Sequence, residues 1–184
     1  MAKGMKILTI AFLILFIVFF AWYILMPRPV LLSICITLGV FLYHFAMRLL
    51  VGYTINGIFH NKFNYNAWWF RERKHESKLY KLLRVKRLTR SIPTYSPDTF
   101  DIKKHSWEEI AMATCQAELV HEIIILLSFL PILLIIPFGT PVVFVLTSVG
   151  SALFDSIFVI VQRYNRPRLI SHIEKLKKRA NKKA

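Results

Sequence analysis

From Ile7 to Met26 the chain runs for twenty residues without a charge. At 1.5 Å of rise per residue, a helix of that length crosses the roughly 30 Å hydrocarbon core of a bilayer. Lipid offers no partner to an open backbone group, so a helix is the form such a run must take. It is longer than the apolar core of a cleavable signal peptide and has no small-residue cleavage site, so it is expected to be retained. Three further runs are long and apolar: Val30–Leu50, Met112–Pro137 and Val142–Gln162. The expected fold class is therefore all-α integral membrane, with about four transmembrane helices in two hairpins and a cytoplasmic amphipathic or interfacial segment between them. A 55% share of hydrophobic residues and a mean hydropathy of +0.48 agree, since soluble domains lie near 45–50%.

Pro27-Arg28-Pro29 and Phe138-Gly139-Thr140-Pro141 make the tight connections within the hairpins, because proline fixes φ and removes a donor. The organisation expected is an amino-terminal transmembrane hairpin over residues 1–51, a basic cytoplasmic interfacial segment over 52–110, a second hairpin over 111–162 and a basic cytoplasmic tail over 163–184. Of the 25 Lys and Arg residues, two precede the first run, one lies in the first turn, twelve fall between Lys62 and Lys104, none in the second turn and nine after Gln162; Arg48 completes the set. That distribution places both termini and the central segment on the cytoplasmic side of a cell membrane. It also accounts for the net charge of +15 without nucleic acid, because the cations flank the spans, where anionic headgroups are the expected partners.

Trp68-Trp69-Phe70 and the basic Arg71-Glu72-Arg73-Lys74, followed by Leu79, Leu82, Leu83 and Val85 at helical spacing, suit the inner membrane surface. Ser91 to Asp98 has turn chemistry. The Lys-rich stretch Lys175–Lys183 is a solvated, lipid-binding tail. Cys35 and Cys115 have no metal-ligand spacing and are expected as small packing residues; no metal and no resident cofactor are indicated. Phosphate loops, HExxH pairs, GxSxG elbows and dinucleotide fingerprints do not occur.

Ionisable groups within the spans cost about 2.5–3.5 kcal/mol each at mid-bilayer and call for an explanation. Cys115, Glu118, His121, Glu122 and Ser128 share a broad face at spacings of three, four and seven. Ser148, Ser151, Asp155 and Gln162 form a second stripe, continued by Arg163, Asn165 and Arg166. His44 and Arg48 lie one turn apart and are candidate partners for Asp155. Taken singly, Glu118 could be an interfacial residue, Arg163 an ordinary anchor and His44 a packing residue. As a pair, Glu118 and His121 have the spacing by which a carboxylate orients an imidazole for general-base work.

Phe63 to Lys74, then Cys115-Gln116-Ala117-Glu118-Leu119-Val120-His121, then Val161-Gln162-Arg163-Tyr164-Asn165-Arg166-Pro167-Arg168-Leu169 together resemble the glycosyl-4,4'-diaponeurosporenoate acyltransferases. The shared patterns are an Asn-rich entry to W-[FY]-x-x-R, R-A-E-L-x-H, and Q-R-Y-N-R-P-R-L. The resemblance covers about Phe63 to Leu169. Gln116 stands where the family has Arg, Glu122 where an aromatic is common, and Asp155 where Asn is expected. The resemblance implies a membrane enzyme that esterifies a glycosyl hydroxyl of a carotenoid glycolipid with a fatty acyl chain, the closing step of staphyloxanthin formation. It also implies functional roles for Glu118, His121, Gln162, Arg163, Asn165 and Arg166.

The expected reaction moves an acyl chain at the inner leaflet from acyl-CoA, acyl carrier protein or a lipid ester to a glycolipid hydroxyl. His121 takes the proton, Glu118 orients it, and Gln162, Arg163, Asn165 or Arg166 bind substrate or the developing oxyanion. Arg71, Arg73 and Lys74 are candidates for the donor's phosphates or a lipid headgroup, with His44, Cys115 and Asp155 in support. Cys115 also leaves a covalent acyl-cysteine route open. Outside transferases, a non-catalytic lipid- or partner-binding membrane protein and a lipid ester hydrolase use the same features. A translocator would spread its polar residues across the membrane, whereas these crowd one side. Oligomeric state is not encoded in any of these features.

Overall fold

The structure is a computed structural model that describes residues 2–91 and 97–182. It is all-helical, in the order α1 (Ala2–Leu25), α2 (Pro29–Phe59), a 3-10 turn (Trp68–Phe70), α3 (Glu76–Leu82), α4 (Val85–Ser91), a second 3-10 turn (Pro97–Phe100), α5 (Trp107–Leu127), a third (Leu130–Leu134), α6 (Ile135–Phe138) and α7 (Pro141–Asn181). Four helical stretches, Lys3–Leu25, Pro29–Phe59, Trp107–Phe138 and Pro141–Asn181, are long and apolar enough to cross a membrane, which makes the chain a multi-pass membrane protein. The turn expected around Ser91–Asp98 lies at residues 92–96 outside the described residues, as does Lys183 of the tail.

The helices divide by their packing into two units. The first comprises residues 1–54 and 123–155, the second 55–122 and 156–184. In the first unit, Phe12 of α1 stacks on Phe41 and Phe45 of α2, each at 5.4 Å. Gly39 lets the helices approach: a Cβ there would come within 3.2 Å of the Phe16 ring. Most of α1 stays exposed, as expected of a helix whose solvent is lipid. Tyr43 donates to the Leu127 carbonyl at 2.8 Å. Asp155, of the two candidate partners, takes Arg48 at 2.5 Å, and Arg48 Nη2 also donates to Ser151 Oγ at 2.8 Å. A buried ion pair of this kind satisfies two groups that neither lipid nor apolar side chains could. Between α6 and α7, Gly139 adopts φ +66° and caps the turn, a conformation glycine enters without a Cβ clash.

In the second unit, α2 runs nine residues past Leu50 before His60 and Asn61 turn it with φ of 48° and 58°. Gln116 holds that end: its Oε1 accepts from the Asn61 N–H at 2.7 Å and its Nε2 donates to Asn56 Oδ1 at 3.1 Å. α7 continues through Pro167 to Asn181, so the basic tail is helical rather than irregular. Tyr80, Val85 and Val161 form an apolar core against Leu88, Ile160 and Tyr164. The segment expected as one amphipathic stretch from Trp68 to Val85 is instead one 3-10 turn and two short helices separated at Arg84.

Candidate functional site

The second unit holds a cluster built on α5, α7 and the turn at Trp68–Phe70. Glu118 on α5 is completely buried. Its Oε1 accepts from Arg163 Nη1 at 2.6 Å and its Oε2 accepts from Arg166 Nη2. Arg166 is also fully buried. It donates through Nε to Thr114 Oγ1 at 3.0 Å, through Nη2 to the Thr114 carbonyl at 3.0 Å and through Nη1 to the Phe70 carbonyl at 3.1 Å, with its guanidinium 4.9 Å from the Phe70 ring.

Arg163 reaches further out. Nε and Nη2 donate to Glu76 Oε1 at 3.0 and 2.7 Å, Nη1 donates to the Trp69 carbonyl at 3.2 Å, and Nη2 donates to the Arg71 carbonyl at 3.0 Å. With the bond to Glu118, all five guanidinium hydrogens are used. Three consecutive carbonyls, those of Trp69, Phe70 and Arg71, thus accept from α7 rather than from their own segment. That diversion explains why the aromatic stretch forms a single turn.

Glu76 completes the network by accepting from Tyr80 Oη at 2.6 Å. Burial would raise the Glu76 carboxyl, but hydrogen bonds from Arg163 and Tyr80 and the Arg163 charge outweigh it and hold the group below its usual range. Burial, with the neighbouring carboxylate, pushes the Tyr80 phenol up.

His121 is half-buried one turn beyond Glu118 and stacks on Phe158 of α7, rings 4.6 Å apart and 9° from parallel. The one-turn spacing aimed Glu118 at His121, and the structure gives both Glu118 oxygens guanidinium partners. Next to it, Glu122 accepts from Trp69 Nε1 at 2.9 Å. Gln162 and Asn165, on the same stretch of α7, are half-buried and their side chains have no hydrogen-bond partner among the described residues. The contrast within this motif is sharp: the two arginines are committed inside the protein and the two amides that alternate with them are not.

Of the remaining sequence candidates, Arg71, Arg73 and Lys74 are exposed. Arg71 Nε donates to the Asn66 carbonyl at 3.0 Å. Cys115 is a fully buried free thiol, which closes it to an acyl donor without rearrangement. His44 and Asp155 belong to the first unit, where His44 is buried with neither ring nitrogen hydrogen-bonded. Among the described residues, His, Cys, Asp and Glu form no group that could hold a metal ion. Spacing along the chain did not single out Glu76, Thr114 or Tyr80, because their roles arise from contacts far apart in sequence; Glu76 lies 87 residues from Arg163.

The sequence model of the glycosyl-4,4'-diaponeurosporenoate acyltransferase family matches residues 66–175, a span that contains every residue of this cluster. No individual curated protein and no solved structure matches the chain.

Proposed function

Since the chain belongs to the glycosyl-4,4'-diaponeurosporenoate acyltransferase family and is accordingly an O-acyltransferase, we propose that it esterifies a sugar hydroxyl of a carotenoid glycoside at the inner leaflet, with His121 as general base. The observation that carries this reading is the division of labour on α7, where Arg163 and Arg166 are committed to internal bonds while Gln162 and Asn165 have no hydrogen-bond partner among the described residues. Arg163 and Arg166 are positioning residues: they fix α7 against α5 and the Trp68–Phe70 turn. Glu118 is the anion that holds both arginines in place. The donors for a developing oxyanion are then Gln162 and Asn165.

In the reaction, His121 removes the proton of the sugar hydroxyl as its oxygen bonds to the acyl carbonyl carbon. The carbonyl π electrons move to oxygen, where an amide N–H stabilises the charge. When the carbonyl re-forms, the bond to the donor's leaving group breaks, and the imidazolium returns its proton to that group. Stacking on Phe158 fixes the imidazole plane, so the ring needs no reorientation between the two proton transfers. Exposed Arg73 and Lys74 face anionic headgroups, and the distribution of Lys and Arg puts both termini in the cytoplasm. Water in place of the sugar would give hydrolysis by the same steps, so the acceptor decides the outcome.

The test is lipid mass spectrometry on cells supplied with a glycosyl carotenoid and expressing either wild type or His121→Ala at matched membrane levels. An acylated glycoside formed only by wild type supports the assignment. Equal product from both variants overturns His121 as base, and free fatty acid without ester favours hydrolysis.

A further inference from the structure

Beside the network, next to Tyr80, α3, α4 and α7 line an open cleft of about 930 Å³. Its rim carries Lys81, Arg84, Lys86, Arg87 and Arg168, against one carboxylate, Glu72. A second cleft of about 350 Å³ is mixed in charge, with Arg71 and Arg166 opposed by Glu72 and Glu174. The larger one is thus a concentrated positive site, and its volume lies in the range of cavities that enclose a nucleotide-sized ligand.

Two features distinguish it from a merely solvated basic face. Arg84 sits at the α3–α4 junction with φ +48°, a left-handed conformation that a residue with a long side chain seldom adopts. Glycine or asparagine would make that turn without strain, so the guanidinium is retained against a backbone cost, a pattern associated with function. Second, the cleft has a planar aromatic wall. The Arg168 guanidinium lies 3.5 Å from the Tyr164 ring centroid and donates to the Tyr164 carbonyl at 3.1 Å, while Tyr80 meets Tyr164 edge to face at 5.4 Å. Cations around the Tyr164 ring, with the Arg168 guanidinium laid over its face, suit a ligand that joins phosphates to a planar base, since a base stacks on a guanidinium plane as it does on a ring. A lipid headgroup presents the phosphate without the base.

We propose that this cleft binds the adenosine bisphosphate end of a coenzyme A thioester, which makes acyl-CoA the donor. The inference rests on the acyl-transfer reading. The wall of the cleft is continuous with that site: Tyr80 bonds Glu76, and Glu76 bonds Arg163, the neighbour of Gln162. Phosphates held at Lys81, Arg84 and Arg168 leave the pantetheine arm to carry the thioester toward α7.

The experiment is calorimetric titration of the full chain, in phosphatidylcholine nanodiscs, with adenosine 3',5'-bisphosphate, and in parallel with unphosphorylated adenosine. Saturable binding of the bisphosphate alone is expected, weakened at least tenfold by Arg168→Gln and by Arg84→Gly. The glycine variant relaxes the turn while deleting the charge, so its loss of binding cannot be assigned to misfolding. With acyl-CoA as donor, both variants should raise KM at least tenfold and change kcat less than twofold. No saturable binding, or binding indifferent to both substitutions, overturns the proposal. So does binding that 30% phosphatidylglycerol in the nanodisc abolishes, which would assign the cleft to headgroups. Bisphosphate binding that depends on Arg84, in a protein that transfers no acyl chain, would uphold the cleft and sink the acyl-transfer reading. Transfer without bisphosphate binding would do the reverse.

Discussion

Glu118 and Arg166 face one another with no solvent access to either side chain. Two opposite charges withdrawn together from water tolerate each other only as a pair, because the desolvation cost of either one alone amounts to several kcal/mol. The second arginine, Arg163, shares the same carboxylate from a more accessible position. One buried anion therefore organises two cations, and through them four backbone carbonyls, those of Trp69, Phe70, Arg71 and Thr114.

Removing one member of that group should be costly. Arg166→Ala is expected to destabilise the protein by about 3–5 kcal/mol, since it takes the buried Oε2 of Glu118 away from its guanidinium and leaves Thr114 without its donor. Arg166→Lys should rescue little of this, because a lysine cannot reproduce the fork that spans Thr114, Phe70 and Glu118. Thermal unfolding in detergent, followed by tryptophan fluorescence, reads both.

Gln162→Ala and Asn165→Ala should behave oppositely. Neither side chain bonds to the protein among the described residues, so the unfolding midpoint should stay within experimental error of wild type. If one is the oxyanion donor, its loss should lower kcat by roughly 10²–10³. A fall in stability equal to that of Arg166→Ala would instead make these residues structural.

For His121→Ala the expectation is a drop in transfer of about 10²–10⁴, with loss of one ring stack against Phe158 costing stability on the order of 1 kcal/mol. Matched unfolding and transfer assays separate the two. The drop should be confined to the chemical step, so single-turnover rates must fall as far as steady-state ones.

Acid should loosen the turn before it unfolds the helices. The Glu76 carboxyl is held below its ordinary value of 4.5, burial opposing and its bonds to Arg163 and Tyr80 prevailing. The stability it contributes is therefore complete above about pH 4.5 and is lost as pH falls through the depressed folded value. Glu76→Gln should remove that acid-side component and leave the profile from pH 6 to 8 flat, as measured by tryptophan fluorescence of Trp68 and Trp69.

In the first unit, Arg48→Met alone leaves the buried Asp155 without its guanidinium and should cost about 3–5 kcal/mol. Arg48→Met/Asp155→Leu should recover most of it, since replacing both charges with apolar groups restores a compatible interior. A double variant no better than the single would mean that the pair has a use beyond packing.

The spans and both hairpin turns were legible because an uncharged run of twenty residues admits one solution in lipid. Their lengths were less so. Beyond Leu50 the sequence turns to Gly52, Thr54 and Asn56, and helix persists to Phe59 with its end held by Gln116, more than fifty residues away. The last helix runs on through Pro167, since proline costs one donor and Arg163 and Arg166, just before it, are anchored on α5 and the aromatic turn. Within the site, local spacing put Glu118 beside His121 on one helix. It gave no information on Arg163, 45 residues downstream, whose choice of carboxylate depends on how α7 packs on α5. Nor did local pattern reveal the turn at Trp68–Phe70, whose carbonyls are claimed by residues more than ninety positions later.

That long reach has a consequence for how the protein is made. Trp69, Phe70 and Arg71 precede the arginines that hold them by 94, 96 and 92 residues. At translation rates of about 5–20 residues per second, the turn waits roughly five to twenty seconds for its anchors to be synthesised. Until α7 enters the bilayer, the tryptophans and the Glu118 carboxylate have no guanidinium to settle on. The cluster around Glu118 is thus among the last parts of the molecule to assemble, and a chain halted before Arg163 would carry three inserted helices without it.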